Sequence, residues 1–286
     1  MTRARFARHA EAFLVHAFVL AAVVAALYPV LWVVSTALSP RELTMKPRAL
    51  PWPTAPSLDN FRTVVGAADG AKARLFLTQV GNSLLVSLAT ALIAVVIATP
   101  AAYALARFDF VGQKASLRTL LATQLFPTVA SAVPLYLLLD ALNLLDSRSG
   151  LVLVYAASAI PFALFQLRAS FQAVPPELEE AAMVDGATRF GAFRLVAVPA
   201  IRPALAVTAL FAVMSSWNEF VLAATLLSRE SAFTLPVVLQ RYVGEYDAAW
   251  GPFAAGSILV SLPVMGIFYV LQRHLVAGLT SGAVKG

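Results

Sequence analysis

An all-helical membrane protein with six transmembrane helices is the fold class this sequence predicts, and three observations predict it. The chain of 286 residues is 60% hydrophobic, and only 13% of its positions are charged. Its apolar residues are gathered into six blocks that are nearly free of Asp, Glu, Lys and Arg. Mean hydropathy is +0.79, whereas a soluble domain is roughly half apolar and about one quarter charged. A water-soluble globule would need polar residues threaded through each block to face solvent, and these blocks do not supply them. A soluble enzyme is thereby excluded. The formal net charge of +6 does not point to nucleic acid, because the basic residues lie scattered between the apolar blocks and never form a patch. With no cysteine in the chain, disulfides, thiolate metal sites and cysteine nucleophiles are excluded too.

A hydrocarbon core about 30 Å thick needs roughly 20 residues of helix. The stretches 12–40 (carrying only His16), 75–106, 119–139, 149–167, 203–228 (interrupted only by Glu219) and 248–272 meet or approach that length. They predict spans over about 12–38, 78–106, 117–139, 149–171, 203–228 and 248–273, within one membrane domain covering 1–286. Because lipid offers no hydrogen bonds to backbone groups, each span should be a helix. The first follows Arg3, Arg5 and Arg8 as a signal peptide would, but its apolar run is too long for a signal core and reads as an uncleaved anchor. Pro127, Pro134, Pro161 and Pro263 interrupt the later spans and should kink them. An even number of spans puts both termini on one side. With the termini inside, the inner segments hold 12 Lys and Arg against 9 outside, a narrow bias in the expected direction.

Between the first two spans, Pro47, Pro51, Pro53 and Pro56 around Trp52 predict an extended outer excursion with a few short elements. A plain connector and a binding role are equally good readings of it. The outer segment Arg229–Trp250, with Tyr242, Tyr246 and Trp250, offers contact area, and an ordinary membrane-interface loop and a surface that meets an outside partner are equally good readings of it.

The loop 173–202 has a different character. Pro175 and Pro176 suit the first turn of a helix, and Glu177, Glu179 and Glu180 then sit where the helix dipole favours negative charge. Gly186 is a natural stop, and Thr188 can cap a second helix in which Phe190, Phe193 and Val196 or Ala197 recur at three- to four-residue spacing. Two short helices joined at a glycine follow. Leu178, Ala181, Ala182 and Met183 give the first a small apolar surface, which suits a partner's groove or the bilayer surface equally.

Glu180-Ala181-Ala182, then Gly186, then Val196 and Pro199, resembles the EAA motif of ABC importer permeases. Asp185 and Ala187 extend the likeness to the carbohydrate permeases, with Phe193 and Pro203 also in place. The last residues, Leu275 to Gly286, resemble the tail of maltose-type permeases, as does the order of six spans with a long first outer loop. The resemblance implies an ABC type I importer permease fold. It implies a coupling helix at Glu179, Glu180, Ala181, Ala182, Asp185, Gly186 and Ala187 that docks in a cleft of an ATP-binding subunit. It also implies a tail whose Gly282, Lys285 and Gly286 reach the ATP-binding subunits. The partners it implies are a related sibling permease, two ATP-binding cassette subunits that hold ATP and Mg, and an extracytoplasmic sugar-binding protein. The chain would be a multi-pass protein of the bacterial cytoplasmic (inner) membrane with both termini cytoplasmic. Maltose, maltodextrin or a trehalose-type sugar is the expected cargo.

Ionisable groups within spans are costly and mark either a pathway or an interhelical pair. Trp217, Asn218 and Glu219 are therefore candidates for the solute pathway, with a lock between helices as the competing reading. Gln124, Phe126, Tyr136 and Tyr155 are weaker candidates. Phosphate-binding loops and hydrolase motifs are missing from the sequence, so no bond chemistry and no bound cofactor are expected. Inverting a 1:99 conformational equilibrium takes roughly 5.5 kcal/mol, which a partner must supply. An ion- or proton-coupled carrier using Glu219 is the alternative from another class, and a polyol or glycerol phosphate the alternative cargo.

Overall fold

A computed structural model describes residues 2–40, 50–53, 55–244 and 248–283, with side chains described between 11 and 270 of these. Lys285 and Gly286 of the expected tail, Tyr246 of the last outer loop and Pro47 of the first lie outside the described residues. Among the described residues the chain is helical, with no strand beyond an isolated bridge between Val243 and Ala248. The helices are α1 (Thr2–Ala37), α2 (Asp59–Val65), α3 (Gly70–Arg107), α4 (Gln113–Gln124), α5 (Thr128–Ala141), α6 (Arg148–Ala173), α7 (Glu177–Val184), α8 (Arg189–Ala192), α9 (Val198–Ala200), α10 (Arg202–Trp217), α11 (Val221–Leu226), α12 (Leu235–Gln240) and α13 (Trp250–Ala283).

Four helical stretches are long and apolar enough to cross a membrane: Glu11–Ala37, Gly70–Arg107, Arg148–Ala173 and Trp250–Val270. Six is reached when two bent pairs each count as one crossing, α4 with α5 at 100° and Arg189–Ala200 with α10 at 73°. The expected span 117–139 is therefore broken. Pro127, extended at φ −63° and ψ 126°, supplies no N–H to continue α4 and instead opens α5. The expected span 203–228 is broken as well. α10 stops at Trp217, and a new helix begins at Val221. At the other end of the chain, α13 runs without interruption through Gly278 and Gly282 to Ala283.

The chain forms two compact units. The first comprises residues 1–76 and 239–261. Its core joins Ala37, Val64, Ala254 and Ala255, and the buried Asn60 amide donates to the carbonyls of Ala37 and Ser39 at 2.8 and 2.9 Å. Gly251 leaves room for this amide, since a Cβ there would lie 2.6 Å from Asn60 Oδ1 and displace it. Burial raises the pKa of Tyr242 in this unit.

The second unit comprises 77–238 and 262–286, and its core falls into separate layers. One gathers Leu139, Leu151, Tyr155, Leu222 and Phe233. Another gathers Ala98, Ala102, Leu105, Leu164, Leu167, Phe171, Ala197 and Ile201. The run of alanines on α3 lets α6 and the loop 173–202 approach closely, so that Phe171 and Leu167 are completely buried. Part of the expected interfacial loop also belongs to this core. Asn82 Nδ2 donates to the carbonyls of Ser231 and Phe233, Gln79 Nε2 donates to Glu230 O, and Ser83 Oγ accepts from Leu235 N. Phe233 and Leu235 are buried in consequence.

Candidate functional site

The loop 173–202 folds as two short helices around a glycine. α7 starts behind Pro176, with Glu177, Glu179 and Glu180 in its first turn. It closes through hydrogen bonds from Gly186 N to Met183 O and from Ala187 N to Ala182 O. Gly186 sits at φ +94° with open space around the position a Cβ would take. The left-handed backbone, and not crowding, is what selects glycine there. Thr188 Oγ1 then accepts from Gly191 N at 3.0 Å and caps α8. α8 passes into a π-helical turn over Phe193–Ala197, continues through α9, and bends at Ile201 into α10.

The two faces of α7 have separate tasks. Leu178 is 52% exposed and Val184 87% exposed, and Glu177, Glu180, Ala181, Asp185 and Gly186 also face outward. Ala182, Met183 and Ala187 are half-buried. Glu179 is 5% exposed. Its Oε1 accepts from Arg107 Nε at 2.8 Å, and its Oε2 accepts from the Tyr103 hydroxyl at 2.5 Å. Arg107 also donates through Nη2 to Val174 O at 2.8 Å, so one guanidinium holds the entry to the loop and its first helix together. The Tyr103 ring packs against Phe171 and Phe193, with centroids 5.4 and 4.7 Å away. Glu179 thus points into the protein, one helical step away from Glu180 on the outward face. The sequence reading grouped it with the residues that meet a partner; the structure makes it the anchor of the loop.

Tyr103, Arg107 and Arg168 escaped the sequence reading. Arg168 Nε donates to Leu105 O at 3.2 Å, at the same end of α3. The available signal was the spacing of Tyr103 and Arg107, four residues apart on one face of the last turn of a span.

Trp217, Asn218 and Glu219 occupy the break between α10 and α11. Trp217 is 2% exposed, packed in the core and unavailable to a solute. Asn218 is exposed, and its Nδ2 donates to Met214 O at 2.8 Å. Glu219 Oε1 accepts from Leu222 N at 2.9 Å, and Oε2 accepts from Ala223 N at 3.1 Å and from the Tyr155 hydroxyl at 2.5 Å. The carboxylate therefore caps the first turn of α11 and ties it to α6. The side-chain cap competes with a continuous backbone helix, which is why 203–228 is not one rod. Of the weaker candidates, Tyr155 is buried in this lock, Tyr136 is exposed, and Gln124 and Phe126 lie exposed at the break between α4 and α5.

A second clasp closes the opposite loops of this unit. Asp146 Oδ1 accepts from the amides of Ser228 and Arg229 at 2.9 and 3.0 Å, Oδ2 accepts from Arg229 Nε, and Asp146 N donates to Leu226 O. Burial of Asp146 opposes its ionisation, but the two amides and the guanidinium outweigh it and hold the carboxyl below its ordinary value. No group of His, Cys, Asp and Glu able to hold a metal ion occurs among the described residues.

Residues 94–281, which include the loop 173–202, the Tyr155–Glu219 lock and the Asp146–Arg229 clasp, match the family described as binding-protein-dependent transport system inner membrane component. The chain is 44% identical to a putative ABC transporter permease protein, ORF1, of Streptomyces antibioticus over 82% of its own length and 99% of the relative's. It is 36% identical to the trehalose transport system permease protein SugB of Mycobacterium tuberculosis, covering 91% and 93% of the two chains. It is also 36% identical to the maltose/maltodextrin transport system permease protein MalG of Vibrio vulnificus, covering 82% and 83%. Its fold is similar to that of a bacterial ABC transporter involved in import of the polysaccharide alginate, with a TM-score of 0.74 at 24% identity over 94% and 96% of the chains. A helical chain with apolar spans, a glycine-hinged loop and this extent of likeness belongs to the family of binding-protein-dependent transport system inner membrane components.

Proposed function

We infer that the chain is the membrane-spanning permease subunit of an ABC importer for sugars, of the maltose/maltodextrin or trehalose type, working by alternating access. The observation that carries this reading is α7: a short helix, anchored from behind by Arg107 and Tyr103, that presents Leu178, Ala181 and Val184 outward ahead of a glycine turn. An apolar knob on a rigid mount transmits a push, and Glu180 and Asp185 beside it can meet cationic groups of an ATP-binding subunit. Rigid mounting matters because force applied at α7 then passes to α3 through Glu179 and Arg107, and is not absorbed by the loop.

In this reading the subunit pairs with a related sibling permease and two ATP-binding cassette subunits, which bind ATP and Mg. An extracytoplasmic binding protein delivers the sugar. The chain itself hydrolyses nothing. It lies in the cytoplasmic (inner) membrane with both termini and the loop 173–202 on the cytoplasmic side, and its tail around Gly282, Lys285 and Gly286 approaches the ATP-binding subunits. The commitment of Glu219 to three hydrogen bonds favours this reading over a carrier in which that carboxylate titrates.

The test is reconstitution in proteoliposomes with the partner subunits. ATP-dependent uptake of maltose or trehalose is expected, with loss of uptake in Gly186→Trp while the complex still assembles. Uptake by vesicles that contain this chain without any ATP-binding subunit would sink the proposal.

A further inference from the structure

The outward surface of a membrane helix facing lipid is apolar, as on α3 at Leu88, Leu92 and Val96, which are 50%, 66% and 61% exposed. One face of α6 departs from this. Ser158 and Phe162 lie four residues apart on that face, and both are exposed. They meet Phe211 and Ser215, likewise four apart and exposed on α10. The rings of Phe162 and Phe211 lie 5.5 Å apart, edge to face. Across from them, Gln124 and Phe126 stand at the break between α4 and α5.

These side chains line three cavities of about 420, 210 and 90 Å³, and Ser158 borders all three. The smallest contains Thr90, whose Oγ1 is fully buried and has no hydrogen-bond partner among the described residues. Ser158 Oγ donates back to Val154 O at 3.0 Å, but the exposed Gln124 amide is costly against hydrocarbon, and the orphaned Thr90 hydroxyl costs about 1–3 kcal/mol. Such a surface belongs against water or a polar solute. The only ionisable carboxylate among the lining residues is Glu219, and its oxygens are taken up by Tyr155 and the amides of α11.

We propose that this face of α6 and α10, with the α4–α5 break, is a sugar-contacting wall, so that this subunit touches the transported solute directly and selects an uncharged one. The chemistry of the wall is that of carbohydrate recognition. Aromatic rings cover the C–H faces of a pyranose, Ser215 and Gln124 exchange hydrogen bonds with its hydroxyls, and Ser158, its own proton donated to Val154 O, accepts one. Among the described residues no cationic side chain lines the cavities, so an acidic sugar or a glycerol phosphate would have to shed its hydration without a countercharge from them. The wall lies beside the Trp217–Glu219 break and does not use it. The inference rests on the reading of the chain as a sugar importer permease.

The natural absence of cysteine makes the experiment direct. In the fully assembled importer, Ser158→Cys and Ser215→Cys are expected to react with a membrane-impermeant thiol reagent, and Val96→Cys to resist it. Sugar-loaded binding protein with ATP should slow the reaction when the sugar is maltose or trehalose, and glycerol 3-phosphate should leave it unchanged. Absence of aqueous labelling at both serine positions overturns the wall. Labelling that neither sugar slows leaves a water path but equally overturns it. As a second arm, Phe162→Ala and Phe211→Ala should each lower uptake of the sugar roughly tenfold while ATP hydrolysis stimulated by the binding protein stays near wild type. Unchanged uptake in both variants overturns the proposal. Failure of the parent importer to couple ATP to uptake is a separate result that removes the functional reading instead.

Discussion

Arg107, in the last turn of α3, donates from Nε to Oε1 of Glu179 in α7 at 2.8 Å, and the two side chains are 13% and 6% exposed. The contact joins residues 72 positions apart in the chain. It also turns a short exposed helix into part of a membrane-spanning one. Removing either partner leaves the other charge buried and uncompensated, at a cost of about 3–5 kcal/mol. Arg107→Ala and Glu179→Ala are therefore each expected to expose the loop 173–202 to protease and to abolish ATP-driven uptake. The double replacement Arg107→Met with Glu179→Leu should recover much of the stability without the orientation, and a cycle through Arg107→Met, Glu179→Leu and the pair together on thermal unfolding measures the coupling. A cycle showing no coupling would remove the anchor.

Gly186→Ala isolates the cost of backbone conformation. Nothing crowds the position, and φ is +94°, so the expected penalty is about 1–2 kcal/mol from the left-handed geometry alone. Gly186→Asn should cost less than Gly186→Ala. The ranking is checked by thermal unfolding of the solubilised protein.

Glu219→Ala should release the amides of Leu222 and Ala223 and the Tyr155 hydroxyl together. Each unsatisfied buried group costs about 1–3 kcal/mol, so a marked fall in melting temperature is expected, with Tyr155→Phe showing a smaller one. A Glu219→Ala variant of full stability and altered transport would instead restore the pathway reading of this residue.

Asp146 supplies a pH-dependent contribution of definite sign. Its folded pKa lies below the ordinary aspartate value of about 3.9. The stabilisation is therefore complete above that value and is lost as pH falls through the folded pKa. The stability gap between wild type and Asp146→Asn should be constant through neutral pH and close only in acid below about pH 4. Melting temperatures measured from pH 7 downward check it.

Much of the loop 173–202 was legible because its signals are local. Proline at a helix start, acids in the first turn, glycine at the stop and threonine at the next cap act within a few residues, and each acts as expected in α7 and α8. Glu179 was misread for the opposite reason. Sequence spacing shows that Glu179 and Glu180 face different directions, but not which direction is inward, because the group that makes burial tolerable is an arginine on another helix. The breaks at Pro127 and Glu219 show the same limit. Length and hydropathy describe a span as a whole, and a proline or a side-chain cap inside it changes the helix without changing either measure. The pinned segment 230–235 was hidden because its partners, Gln79, Asn82 and Ser83, sit in an apolar block where three polar residues barely alter the hydropathy.

Composition and the lengths of the apolar blocks are enough to require a helical membrane protein, because burying that much apolar surface in lipid and pairing every backbone group there leaves few alternatives. Short-range stereochemistry is enough to require two helices around Gly186. Which acid anchors the loop, where helices break within the bilayer, and which hydroxyls share a face with Phe162 and Phe211 depend on contacts between residues far apart in the chain. Those contacts exist only once α3, α6 and α10 have packed, since a charge or hydroxyl takes its role from the partner that packing brings to it.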